Sequence, residues 1–302
     1  VTKVQMGAQS FDDSILDKNC RGHSVEDSLN AVALLRAAGF KVVLHWMPNL
    51  LGATPESDGL DFQRMWDGGF APDEIKIYPT QLLPRTELYD YWVRGEYTPY
   101  TEKELVDMIA DIKPGIPRYC RVNRIIRDIP STNVVAGNRR TSLRMDVQEE
   151  LKRRGTQCNC IRCREVRGHV VDPSSLRLDN LVYHPHHAEE HFLSYVTPED
   201  RIAGYLRLSL PDEVSLLPGF DDLWQAAIIR EVHVYGQSLA VGAEQAGAAQ
   251  HIGLGTQLIE EASRIAQEQG YQRLAVISAV GTREYYLARG FRRGELYLFK
   301  EL

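Results

Sequence analysis

Hydrophobic and polar positions in the first third of the chain switch between two periods. VTKVQMGAQS, residues 1–10, alternates apolar with small or polar residues and predicts a strand. SVEDSLNAVALLRAAGF predicts a helix, with Leu29, Val32, Leu35 and Ala38 at helical spacing. Ser24 is placed to cap it, Glu26 and Asp27 fall in its first turn, and Gly39 sits at its end. KVVLHWMPNL is apolar enough for a strand covered on both faces. DGLDFQRMWDG predicts a helix, DEIKIYPT a strand, TEKELVDMIADI a helix capped by Thr101, and RYCRVNRIIRDI a further strand. This alternation implies a parallel α/β arrangement. Right-handed crossovers would wind it into part of a (β/α) barrel or an open doubly wound sheet. About four such strands are present, half of a closed barrel.

The pattern breaks between about Pro130 and Pro173. STNVVAGNRRTS reads as a loop, LRMDVQEELKRRG as an amphipathic helix ending at Gly155, and a cysteine cluster follows. Beyond Pro173, LRLDNLVYH, EHFLSYVT and RIAGYLRLSL predict closely spaced antiparallel strands, and AAIIREVHVYG a longer one. AVGAEQAGAAQ is small and flexible in composition and is a candidate gate beside the glycine-bearing segment that follows it. GTQLIEEASRIAQEQG predicts a helix, RLAVISAV a strand, GTREYYLARGF a short helix and ELYLFKEL a last strand. The expected organisation is an α/β barrel part over 1–130, a basic linker over 131–172 and an α+β domain over 173–302.

Bulk composition fits this division. The chain has 302 residues, 43% hydrophobic and 25% charged, as in a globular protein of two domains. No stretch is long and apolar enough to cross a bilayer, and the N-terminus lacks signal-peptide organisation, so a cytoplasmic location without membrane partners is expected. The start reads as a strand without an initiating Met, which suggests a beginning inside a domain. Five cysteines are too few for a disulfide scaffold. The net charge is −6, yet Lys113–Gly168 holds 14 Lys/Arg against 5 Asp/Glu, a local balance of +9. Arginines outnumber lysines there by 12 to 2, and arginine forks suit phosphates. A polyanionic partner is one reading and a solvated linker answering acidic neighbours is the other.

Two segments carry candidate chemistry. Gln250-His251-Ile252-Gly253-Leu254-Gly255 lies between an apolar strand and a helix, where bare glycine backbone lets amides approach a diphosphate. Further on, Tyr286-Leu287-Ala288-Arg289-Gly290-Phe291 follows. These features resemble the GNAT acetyltransferase superfamily over roughly residues 174–302, which implies acetyl-CoA held by Val232, Val234, Gln250, His251, Gly253, Leu254, Gly255, Thr256 and Tyr286. The preceding strand, Ile229–Tyr235, alternates so that Glu231, His233 and Tyr235 share a face. Glu231 or His233 is a candidate base, and Tyr286, with Tyr285 beside it, a candidate acid for the leaving thiolate. Backbone amides of the strand are candidates to polarise the thioester carbonyl. A polar outer strand face and packing aromatics are the plain alternatives.

The second segment is Cys158-Asn159-Cys160-Ile161-Arg162-Cys163. Three thiols this close suit structural zinc, an iron–sulfur cluster or no metal, with zinc preferred. A fourth ligand is open among Cys20, His23, Cys120 and His169. Taken with GAQSFDDSIL, NCRGHSVEDSLNAVALLRAAGF, HWMPNLLGATPESD, KIYPT, RVNRIIRDIPSTNVVAGNRRTSLR, CNCIRCRE and REVHVYGQSL, the chain resembles the catalytic subunit of Elongator in its single-chain form. That family joins a radical-SAM domain, a cysteine-bearing linker and a GNAT-type domain. The resemblance implies acetyl-CoA-dependent carboxymethylation at C5 of a tRNA wobble uridine, using S-adenosylmethionine (SAM) and a 4Fe-4S cluster. One departure stands out: the early C-x-n-C-x2-C cluster motif is absent, so the radical step is not expected here.

The basic segment would then face the anticodon stem-loop of tRNA through Arg118, Arg121, Arg124, Arg127, Arg139, Arg140, Arg144, Lys152, Arg153 and Arg154. Two alternatives remain at this point, a protein lysine N-acetyltransferase and a non-catalytic RNA-binding scaffold. A homodimer is compatible with either.

Overall fold

The early strand–helix alternation folds largely as the pattern predicts. The computed structural model describes residues 1–126, 129–167, 171–212, 219–235 and 253–302. Along the first part run β1 (Lys3–Gln9), α1 (Asp13–Lys18), α2 (Val25–Ala37), β2 (Lys41–Trp46), α3 (Pro55–Asp67) and β3 (Glu74–Ile77). They are followed by β4 (Gln81–Leu82), α4 (Glu87–Val93), α5 (Glu102–Ile112), β5 (Arg121–Arg124), β6 (Ala136–Gly137), α6 (Leu143–Arg153) and α7 (Ile161–Arg164). The sheet order is β1-β2-β3-β5, with β2, β3 and β5 parallel, and β4 pairs with β6 in a separate ribbon.

Local chemistry sets the helix starts. Ser24 and Asp27 exchange side-chain and backbone bonds at the head of α2, and Thr101 and Glu104 do so at α5. Thr54 and Ser57, with Pro55 at the first helical position, start α3 earlier than its apolar period predicts. α1 is too short to show a period, and α4 buries no residue, so neither announces itself in the sequence. β5 stops at Arg124, short of the predicted RYCRVNRIIRDI, because it is an edge strand whose register with β3 already slips after Ile75. At the carboxyl ends of the strands two buried carboxyls knit the loops. Asp61 accepts from Ser10, the Phe11 amide and Trp46. Asp58 accepts from the Asn49 amide and the Tyr100 hydroxyl, and burial pushes it up to about 7.

The later part holds β7 (Arg177–Tyr183), β8 (Ala188–Val196), β9 (Ile202–Pro211), β10 (Ala226–Val234), α8 (Leu254–Glu268), β11 (Arg273–Val276), α9 (Arg283–Leu287), β12 (Arg292–Arg293) and β13 (Leu298–Glu301). They form a seven-stranded sheet ordered β12-β13-β11-β10-β9-β8-β7. β7 to β10 are antiparallel, as predicted, and β10 pairs with β11 in parallel across the α8 crossover. The amphipathic face of α8 packs Leu258, Ile259, Ala262 and Ile265 onto Leu206, Leu208 and Ile229. The opposite face is closed by Leu223, Ala226, Ile228, Tyr297 and Phe299.

Contacts divide the chain into two compact units, one of Gln5–Val32 with Val42–Cys163, the other of Val1–Val4, Ala33–Lys41 and Arg164–Leu302. The second unit contains a fully buried ion network. Arg230 forks onto Glu190 at 2.6–3.1 Å and donates to the Phe40 carbonyl, and Arg36 lies 3.6 Å from the same carboxylate. Removing one member of a buried ion set leaves charge uncompensated in a low dielectric. Glu190→Gln is therefore expected to destabilise this unit by about 3–5 kcal/mol, measured as a lower urea midpoint.

Candidate functional site

β10 carries the first site, and a bulge shapes it. Its register with β9 shifts between Ile229 and Glu231, which inserts one extra residue and resets the side-chain alternation. Arg230 and Glu231 consequently project to one side, while Ile229 and Val232 pack with the α8 core. Pairing of β10 with β11 ends at Ile229↔Val276, whereas pairing with β9 continues to Val234↔Gly204. β10 and β11 therefore part beyond Ile229.

On the polar face, Glu231 accepts from Lys41 Nζ at 2.5 Å, Tyr205 Oη at 3.0 Å and Arg207 Nε at 3.0 Å. Arg207 also lies over the Phe192 and Tyr205 rings. Burial alone would raise the Glu231 carboxyl, but the charges of Arg207 and Lys41, and their hydrogen bonds, hold it at about 2. His233 is exposed, stacks on Tyr205 at 5.6 Å and meets the Tyr235 ring edge at 4.4 Å. Glu231, His233 and Tyr235 thus share a face, as their spacing predicts.

The glycine turn stands at the head of α8. Gly253 caps the helix at φ +74°, a conformation that favours glycine. Gly255 lies under the Tyr285 hydroxyl, and a Cβ there would collide with it. Leu254 and Gly255 are buried in the first turn and Thr256 follows. Arg289 joins this corner: it donates to Thr256 Oγ1 at 3.0 Å and to the Tyr285 carbonyl at 2.7 Å, with its guanidinium 3.5 Å from the Tyr285 ring centre. Tyr286 is buried beside Phe291, and burial raises its hydroxyl far above the ordinary range. Gln250, His251 and the AVGAEQAGAAQ gate lie outside the described residues.

The second site belongs to the other compact unit. The sulfurs of Cys158, Cys160 and Cys163 all lie within 4.8 Å of one another. Tetrahedral zinc with Zn–S of about 2.3 Å sets its sulfurs about 3.8 Å apart, so the trio fits with a small contraction. α7 shapes the loop: the Cys163 amide donates to the Cys160 carbonyl, and the Ile161 amide to the Cys120 carbonyl. Cys160 is held down by hydrogen bonds from Cys158 and Cys163, aided by the Val122 amide. Cys20, His23 and Cys120 do not join the trio among the described residues, and His169 lies outside them.

Folding redistributes the basic segment. Arg154 reaches Asp107, Asp111 and Glu150, Arg153 reaches Glu150, and Arg140 reaches Glu102 and Asp146. Three of those acids, Glu102, Asp107 and Asp111, lie on α5, outside the window that gave +9. Arg139 donates to the Val135 carbonyl and Arg144 to that of Val122. Arg118 and Arg121 are half-buried, Arg124 and Lys152 are exposed, and Arg127 falls outside the described residues. Sequence reasoning missed Arg36, Lys41, Glu190, Arg207, Arg230 and Arg289. Charges flanked by apolar neighbours, Leu206-Arg207-Leu208 and Ile229-Arg230, were the available signal for buried pairs.

The family model for the radical-SAM C-terminal domain matches residues 72–153, and that for the GNAT acetyltransferase family matches residues 162–291. Fold and site thus define the class, the C-terminal part of a radical-SAM domain joined to a GNAT domain. A solved structure of archaeal Elp3 from Methanocaldococcus infernus, with an N-terminal deletion, superposes with a TM-score of 0.91 at 37% identity, over 100% of this chain and 72% of that one. A tRNA uridine(34) acetyltransferase of Dehalococcoides mccartyi is 41% identical over 100% of this chain and 66% of its own length. An Elongator complex protein 3 of Danio rerio is 38% identical over 100% and 56%. The chain belongs to this Elongator complex protein 3 family, and it spans between about half and two thirds of these two relatives.

The depressed Glu231 carboxyl predicts a pH signature. Its ordinary value is 4.5 and its folded value about 2, so its charge stabilises the fold fully above pH 4.5 and progressively less as pH falls towards 2. The stability advantage of wild type over Glu231→Gln, about 3 kcal/mol at pH 7, is expected to shrink below pH 4.5 in denaturation curves.

Proposed function

We propose that this chain binds acetyl-CoA and tRNA and serves acetyl-CoA-dependent modification of a wobble uridine. The observation that carries the reading is the parting of β10 from β11 beside the glycine-opened head of α8, in a chain whose relatives include a tRNA uridine(34) acetyltransferase. Val232 and Val234 would run along the acyl chain, and Gly253, Leu254, Gly255 and Thr256 would cradle the diphosphate with the helix dipole. The resemblance adds Gln250 and His251, outside the described residues, to the candidate diphosphate binders. Arg289, fixed on Thr256, adds a cation at the same corner.

Of the two candidate bases, His233 is the better. Glu231 accepts from three side chains, and a carboxylate held at about 2 is a weak proton acceptor at neutral pH. On this reading Glu231 fixes the bulge rather than moving a proton. Tyr286 is the candidate donor to the departing thiolate: burial keeps its proton in place at neutral pH and at the same time weakens it as an acid, with Tyr285 as its neighbour. Cys158, Cys160 and Cys163 would hold zinc as a structural centre. Radical chemistry on the acetyl group would be supplied by SAM and a 4Fe-4S cluster in the complete family protein, and this chain alone is expected to bind and hydrolyse acetyl-CoA without that step.

Free-thiol release from acetyl-CoA, measured with and without tRNA, tests the proposal. Stimulation by tRNA is expected. Turnover indifferent to tRNA, with acetylation of a lysine peptide, would overturn it in favour of a protein acetyltransferase. Arg139 and Arg140 are exposed, Arg140 sharing its charge with Glu102 and Asp146, so Arg139→Gln with Arg140→Gln is expected to weaken tRNA binding and flatten its log–log salt dependence by about 1 unit. An unchanged slope would remove both residues from the interface.

A further inference from the structure

Arg289 is a half-buried cation that meets no carboxylate among the described residues. Arg264, Arg273, Arg292 and Arg293 of the same unit each reach a glutamate. The bonds of Arg289 serve instead the corner where α9 meets the head of α8. Nε donates to Thr256 Oγ1 at 3.0 Å, Nη1 donates to the Tyr285 carbonyl at 2.7 Å, and the guanidinium carbon lies 3.5 Å from the Tyr285 ring centre. Nη2 makes no hydrogen bond among the described residues, so part of the fork is open. The amino end of a helix already carries partial positive charge, and acids ordinarily gather in its first turn. The first turn of α8 has no acid and binds a guanidinium through Thr256. The corner thus holds two positive sources without an anion of its own among the described residues.

We propose that Arg289 is a specificity-determining residue for the acyl carrier: its guanidinium takes a phosphate oxygen of coenzyme A and so selects a phosphorylated carrier over an uncharged pantetheine thioester. The inference rests on reading the head of α8 as the coenzyme's phosphate site. It adds to that reading a fixed unit charge, which backbone amides do not supply, in a fork whose geometry matches phosphate oxygens. The fork is in place without the ligand, because the Tyr285 ring and two hydrogen bonds already hold it, and a held side chain loses less freedom on binding. The same stack fixes Tyr285, whose hydroxyl a Cβ on Gly255 would meet, with Val234 Cγ2 3.7 Å from that Cβ position. Arg289 and Tyr285 together therefore line the way from the first turn of α8 to the far end of β10.

The test is equilibrium titration of the whole chain with coenzyme A and with pantetheine, which has no phosphate, at low and high salt. Arg289→Gln keeps a donor for Thr256 and removes the charge. Its coenzyme A Kd is expected to rise about tenfold with a flatter salt dependence, while its pantetheine affinity stays as in wild type. Arg289→Lys is expected to recover part of the loss, and Arg264→Gln, eight residues further along α8, to leave the coenzyme A Kd unchanged. Equal coenzyme A affinity in wild type and Arg289→Gln would overturn the inference and leave the coenzyme reading standing. A parallel loss of both ligands would mark a structural staple and overturn it too. Lost tRNA affinity with coenzyme affinity intact would reassign the phosphate to RNA, with the same result. A wild-type chain that binds no coenzyme A would overturn both readings. Should Arg289→Gln fail to fold by circular dichroism, the crystal structure of wild type with coenzyme A decides. A phosphate oxygen within hydrogen-bond distance of the guanidinium supports the inference, and none there sinks it.

Discussion

Two charged residues side by side on one strand of an apolar sheet cannot both reach the same face by simple alternation. The bulge after Ile229 makes this possible: it turns Arg230 towards Glu190 and Glu231 towards Lys41, Arg207 and Tyr205. Much of the acetyltransferase-like half depends on that one extra residue. It brings the polar row into line with His233 and Tyr235, and it lies where β10 and β11 part. The charges in turn fix the bulge, since Arg230 and Glu231 would otherwise lie buried without counter-ions.

Elements with long, regular periods were legible in the sequence. α2, α3, α5 and α8 were marked by apolar spacing, α2 and α5 also by capping residues, and the antiparallel strands β7 to β9 by alternation and turn signals. The glycines at the head of α8 and the cysteine trio were also visible, because spacing alone brings those residues together. Arg36 was not. It falls inside the helical pattern between Leu35 and Ala37, and its burial depends on Glu190, 154 positions away, which no local pattern encodes. Lys41 and Glu231 are separated similarly. Lys113 escaped for the opposite reason: it is fully buried, whereas a lysine after a helix is ordinarily a solvated end.

The basic segment shows how charge counts mislead along a chain. Read linearly, it carries a surplus of arginine. Folded, α5 supplies Glu102, Asp107 and Asp111 to Arg140 and Arg154, so part of the surplus is spent within the unit. What remains for a polyanion lies on exposed positions such as Arg139 and Lys152 rather than on the whole run. The number of cations in a sequence window is an upper bound on those that meet a phosphate.

Ala33–Lys41 belongs to the same compact unit as Arg164–Leu302, although more than a hundred residues separate them in the chain. The Phe40 carbonyl receives Arg230, the Ala38 carbonyl receives the Tyr297 hydroxyl, and Lys41 reaches Glu231. Cutting the chain at its apparent linker would therefore not release a self-sufficient GNAT-family domain. The excised piece would keep its strands and glycine turn but lose a cation, two carbonyl acceptors and the Arg36 guanidinium from beneath its central strand. Solubility and stability measured on such a piece would describe a sheet missing part of its own interior.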